Sequence, residues 1–136
     1  MATRLNPYIN FGDRAREAME FYQSVLGGTL NMNTFGDFGG QGEDADKIMH
    51  SQLETEAGLT IMGADAPAGM SHTMGDNVSL CLNGDDSAEL HRLFDGLADG
   101  GSVTVPLEKQ MWGDEFGSFV DKFGISWMVN IAGAGG

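Results

Sequence analysis

The sequence predicts an α+β fold assembled from two βαβββ modules. Three observations carry that expectation: a repeat across the chain, a pair of helices with a helical apolar period, and runs of alternating residues bounded by turn signals. The segments "INFGDRAREAMEFYQSVLGG" (9–28) and "LCLNGDDSAELHRLFDGLADGG" (80–101) superpose at a constant offset of 73. Asp13 then falls on Asp86, Ala15 on Ala88, Phe21 on Phe94, and Gly27-Gly28 on Gly100-Gly101.

Both ends of each helix carry signals. Asp13 and Asp86 stand where a carboxylate caps the open N–H groups of a first turn. Ala18, Phe21, Tyr22 and Val25 form an apolar stripe on the first helix, and Leu90, Leu93, Phe94 and Leu97 form one on the second. Each stripe needs a sheet to cover. Gly27 and Gly100 are placed to take the positive φ that ends a helix.

The strands follow. After the first helix come "TLNMNTF", "KIMHSQLE" and "LTIMGA"; after the second come "SVTVPL", "EFGSFVD" and "ISWMVNI". The turns "ETEAG" and "DKFG" join the last two strands of each set. A Gly- and acid-rich loop spans 36–46, and a similar segment at 64–76 links the halves. Each half alone is too short to bury a sheet face and a helix well. The expectation is therefore a single domain over 1–136, with modules at about 5–65 and 77–132.

Alternation assigns side chains to faces. Ile9, Phe11, Met49, Leu53, Leu59, Ile61, Val78, Leu80, Leu82, Trp127, Val129 and Ile131 share an apolar face that packs under the helices. Asn6, Tyr8, Asn10, His50, Gln52, Glu54, Thr60, Met62, Asn77, Ser79, Cys81, Ser126, Met128 and Asn130 share the other. That second face is too polar for a core and too neutral for an ordinary surface, and it suits the wall of a small-molecule cavity.

Composition narrows the partners. The 136 residues hold seven Lys+Arg against twenty Asp+Glu, a formal charge of −13. This opposes binding to nucleic acid or to anionic membranes. No apolar run approaches a membrane span and "MATRLNPYINF" lacks the apolar core of a signal peptide, so the expected location is cytoplasmic. The one cysteine, Cys81, rules out an internal disulfide and a CxxC clip.

The doubled βαβββ pattern, with "FYQSVLGG" after the first helix and Asp-x-Phe-Gly-Ile-Ser-Trp near the end, resembles the vicinal oxygen chelate superfamily of glyoxalase I, extradiol dioxygenases and bleomycin-resistance proteins. "NPYINF", "EAMEFYQSVLGG", "MHSQLE" and "WGDEFGSFVDKFGISWMV" resemble its PhnB-like branch over nearly the whole chain. The resemblance implies a glyoxalase/bleomycin resistance-type curved mixed sheet cupping a cavity, and commonly a homodimer. It also implies a divalent metal held by His or Glu from the first and last strands of each module. Carried onto this chain, those positions are Asn6, Met62, Asn77 and Met128. Carboxamides are weak ligands for zinc or iron, and thioethers suit soft metals. The expectation is that no standard metal site forms, and no cofactor is named.

Among individual residues, His50 is the candidate catalytic group, as general base or as a donor to a ligand. The candidate ligand-binding residues are Asn6, Tyr8, Gln52, Met62, Asn77, Ser79, Trp112 and Met128. Trp112 can stack on a planar ligand; Met62, Met70, Met74, Met111 and Met128 offer an adaptable lining. His72 and His91 are expected to face solvent, and Trp127 to sit in the core. A Ser–His–Asp hydrolase lacks its GxSxG turn, and a methyltransferase lacks a Rossmann-like unit with a Gly-rich first turn.

Three functions stay open. The chain is a PhnB-like small-molecule binder of unproven activity; or a metal-dependent lyase, isomerase or dioxygenase recruiting His50 and Glu54, with Glu56 or a dimer partner; or a non-catalytic drug-sequestering protein. Whether it is an enzyme, and what its ligand, reaction and pathway are, do not follow from the residues.

Overall fold

The structure, a computed structural model, describes residues 3–67 and 73–133. It divides into two compact units, Met1–Thr73 and Met74–Gly136. The boundary falls inside the linking segment read from the sequence.

In unit 1, β1 (Tyr8–Asn10) leads into α1 (Ala15–Leu26), followed by β2 (Thr29–Thr34), β3 (Ile48–Glu54) and β4 (Thr60–Ala64). The strands form a mixed sheet in the order β1-β4-β3-β2, with β1 and β4 parallel and the other pairs antiparallel. The segment between β2 and β3 contains 3-10 turns at Gly36–Phe38 and Gly42–Asp44. Thr34 and Asp37 close its entry with reciprocal bonds: the Asp37 carboxylate accepts from the Thr34 N–H at 2.8 Å, and the Thr34 hydroxyl from the Asp37 N–H at 3.1 Å.

Unit 2 repeats the scheme with β5 (Leu80–Gly84), α2 (Ser87–Ala98), β6 (Ser102–Lys109), β7 (Glu115–Val120) and β8 (Ser126–Ile131), in the order β5-β8-β7-β6. Here β5 and β8 are the parallel pair. Phe119 lies edge-on to Phe94 of α2, with ring centroids 5.0 Å apart, and stacks on Trp127 at 6.2 Å. Trp127 is core, as its alternation requires. Burying each such side chain contributes about 1.5–3 kcal/mol.

The stripe of α2 is buried as read: Leu90, Leu93, Phe94 and Leu97. That of α1 is rotated. Its buried residues are Ala15, Ala18, Met19 and Tyr22, while Phe21 and Val25 are half-buried. Counting from Ala15 at helical spacing selects the true set; counting from Ala18 does not.

The caps differ as well. Asp86 caps α2, its carboxylate accepting from the Glu89 N–H at 3.1 Å. Asp13 does not cap α1. The first turn of α1 is satisfied from across the fold by Asp65, which accepts from the Ala15 N–H at 2.8 Å and, with its other oxygen, from the Ile48 N–H at 2.7 Å. A buried carboxylate with both oxygens engaged ties α1 to the start of β3.

The Gly-Gly stops have a shared reason. A Cβ on Gly28 would overlap the backbone of Glu54 and Thr55, and one on Gly101 the backbone of Val120 and Asp121. In each unit the chain leaving the helix presses against the last residues of the strand it will flank. Gly28 also needs its φ of 94°.

Candidate functional site

Strand pairing places side chains on faces directly. In unit 1, Tyr8 pairs with Met62, Met62 with Gln52, and Gln52 with Asn31. These side chains share the face turned away from α1. One pleat along, Asn10 pairs with Ala64 and Asn33 with His50. In the other direction Glu54 pairs with both Thr60 and Thr29. Asn6, just ahead of β1, lines a groove with Thr60 and Glu54. The opposite face carries Ser51, Leu53, Ile61 and Gly63, all buried.

The first face is thus a wall of amides, hydroxyls, one phenol, one imidazole and one thioether. The rings of Tyr8 and His50 lie 5.8 Å apart and tilted. Tyr8 is exposed; His50, Gln52 and Met62 are half-buried. Gln52 donates to Glu54 at 2.7 Å and so orients that carboxylate on the same face. Asn31 and Asn33 also belong to this wall. The alternation Leu30, Met32 against Asn31, Asn33 in "TLNMNT" was the signal for them.

Unit 2 offers a different wall. Cys81 pairs with Met128, Met128 with Ser118, and Asn83 with Asn130, itself beside Phe116. The Ser118 and Thr104 hydroxyls bond at 2.6 Å. Trp112, exposed between β6 and β7, leans on Phe116 with centroids 6.4 Å apart. Asn77 and Ser79 were expected inside a strand running from Asn77 to Leu82. Strand β5 begins only at Leu80, so both lie in the exposed segment before it. Met111 and Met74 are exposed. Met70 and His72 lie outside the described residues.

His91 does not simply face solvent. Its Nε2 bonds the Glu115 carboxylate of β7 at 2.8 Å, and Ser87 Oγ donates to the other oxygen at 3.2 Å. The hydrogen bond from His91 holds the Glu115 carboxyl below its ordinary range, assisted by Ser87. Asp114 is lowered too, first by the Asn130 amide and then by the Gly133 N–H. Both pairings require β7 to lie against its neighbours and have no local sequence signature.

The metal implied by the family resemblance does not fit these residues. On the strands, Met62 pairs with Tyr8 and Met128 with Cys81, and none of the four carried-over side chains is a His or Glu. Among the described residues, no three His, Cys, Asp or Glu side chains are grouped to hold a metal ion. His50 and Glu54 sit four residues apart on one extended strand, about 13 Å, too far to share an ion within one chain. Among the described residues, no helix is long and apolar enough to cross a membrane.

With the walls described, kinship can be stated. The family model described as 3-demethylubiquinone-9 3-methyltransferase matches residues 3–130. Protein YjdN of Escherichia coli is 30% identical, over 93% of this chain and 94% of that protein. The crystal structure of protein PA1353 from Pseudomonas aeruginosa is 39% identical with a TM-score of 0.87, covering 96% of this chain and 98% of that one. A PhnB protein from Bacillus cereus is 25% identical with a TM-score of 0.76, covering 96% and 100%. A glyoxylase/bleomycin resistance protein/dioxygenase domain from Frankia shares the fold at 14% identity and a TM-score of 0.66, covering 100% of this chain and 96% of that one. The chain therefore belongs to the family described as 3-demethylubiquinone-9 3-methyltransferase, is similar to a PhnB protein, and has the fold of glyoxalase/bleomycin resistance/dioxygenase proteins.

Proposed function

We propose that this chain binds a small neutral or cationic molecule on the amide- and ring-lined face of its sheet, without the standard metal set, and that its two units act as one domain in a cytoplasmic homodimer. The observation that carries the reading is the in-register wall of Tyr8, Met62, Gln52 and Asn31, with His50 beside Tyr8. Flat rings, a thioether and amide groups favour a planar apolar body with a few hydrogen-bonding edges. The charge of −13 disfavours anions at long range. In unit 1, Asn6 belongs to the proposed lining and His50 is the proposed donor or base; Asn77, Ser79, Trp112 and Met128 are proposed ligand contacts within unit 2. The reaction in the family's description is not part of the proposal. Methyl transfer draws on a parallel nucleotide-binding sheet with a Gly-rich turn, whereas these sheets are mixed and four-stranded.

A thermal-shift screen of neutral and cationic aromatic compounds tests this. Hits are expected, with Tyr8→Ala and His50→Ala each weakening them by about fivefold or more. Silence across the screen, or hits indifferent to both substitutions, overturns the reading.

A further inference from the structure

The wall of unit 1 ends in a groove of about 620 Å³ whose lining includes Arg4, Leu5, Asn6, Glu54 and Thr60. Its position matters because Thr60 and Glu54 sit one pleat from Met62 and Gln52, on the same face. Two residues along a strand advance about 6–7 Å. A molecule whose head sits in the groove therefore lays a body of that length against Tyr8, Met62 and Gln52.

The groove holds one cation and one anion. Arg4 makes no hydrogen bond or ion pair among the described residues. Glu54 is oriented by Gln52 through one oxygen, which leaves its second oxygen for a ligand. The Asn6 amide and the Thr60 hydroxyl make no side-chain hydrogen bond among the described residues.

We propose that this groove is the head-group subsite of the binding face, and that its ligand class is a small zwitterion with an aromatic body, of the α-amino-acid type. Arg4 takes the carboxylate in a forked pair. The free oxygen of Glu54 takes the ammonium, and Asn6 and Thr60 complete the polar shell. The ring lies over Tyr8 and Met62, within reach of His50. Leu5, almost fully exposed on the rim, covers the apolar side of such a ligand. This deepens the preceding reading and rests on it.

Calorimetric titration of the whole chain with phenylalanine, phenethylamine and 3-phenylpropionate tests the proposal, with a neutral aromatic amide alongside. Phenylalanine is expected to bind about tenfold or more tighter than either singly charged analogue. Arg4→Gln should remove its advantage over the amine, and Glu54→Gln its advantage over the acid. Both positions lie at the groove, outside the core, and circular dichroism of each variant confirms folding. If the amine or the acid binds as well as the zwitterion, or if neither substitution changes the ranking, the subsite is wrong. Binding of the neutral amide through Tyr8 and His50 would then still uphold the broader reading. If none of the four compounds binds, both fall.

Discussion

The two units are one pattern executed twice, and their buried aspartates show how differently a repeat can be held. In unit 1, Asp65 reaches from the end of β4 to the first turn of α1 and the first residue of β3. In unit 2 that duty is split. Asp86 caps α2 locally, and Asp121 governs the β7–β8 turn, accepting from the Phe123 and Ile125 N–H groups and from Trp127 Nε1 at 2.8–3.0 Å. Topology is thus preserved while the polar joints move. The open faces diverge in the same way: amides and paired rings in unit 1, sulfur, hydroxyls and Trp112 in unit 2.

The sharpest way to break this comparison is Asp121→Ala. It strands three N–H donors, one of them from the core indole, and should cost unit 2 about 3–5 kcal/mol. Denaturant unfolding followed by Trp127 fluorescence would show it. A change near zero would mean that the turn is held by packing alone.

A smaller effect distinguishes the helix caps. Asp65→Ala should cost about 2–4 kcal/mol, Asp86→Ala about 1 kcal/mol, and Asp13→Ala within about 0.5 kcal/mol. Equal losses at Asp13 and Asp86 would restore the symmetric picture suggested by the repeat. Hydrogen exchange at Ala15 and Ile48 should quicken only in the Asp65 variant.

The smallest effect is acidic. Glu115 and Asp114 both have folded-state pKa values below the unfolded ones. Their contribution is complete above the ordinary carboxylate range and is lost as pH falls through the depressed folded values. Acid should therefore weaken unit 2 through this pair. His91→Ala should move the Glu115 titration back up toward its ordinary value, read by carboxyl NMR; an unmoved titration would deny the His91 bond.

The legibility of the sequence follows the range of the interactions. The repeat, both helices, the turns at Thr55–Leu59 and Asp121–Ile125, and the placement of Trp127 depend on neighbours a few residues apart, and local pattern exposes them. The wall of Tyr8, Gln52 and Met62 was legible because alternation alone decides a side chain's face. Asp65 was not, because its partners lie 50 and 17 residues away in sequence. The start of β5 at Leu80 rather than Asn77 was not legible, because a strand's ends are set by its pairing with the neighbouring strand.

The most direct test is methyl and imidazole NMR during titration with the hits of the aromatic screen. Shifts should concentrate on Met62 and His50, with Met19, on the buried side of α1, unmoved. Perturbation of Met19 alone, or no change at Met62 and His50 under saturating ligand, would show that this face is not where the molecule binds.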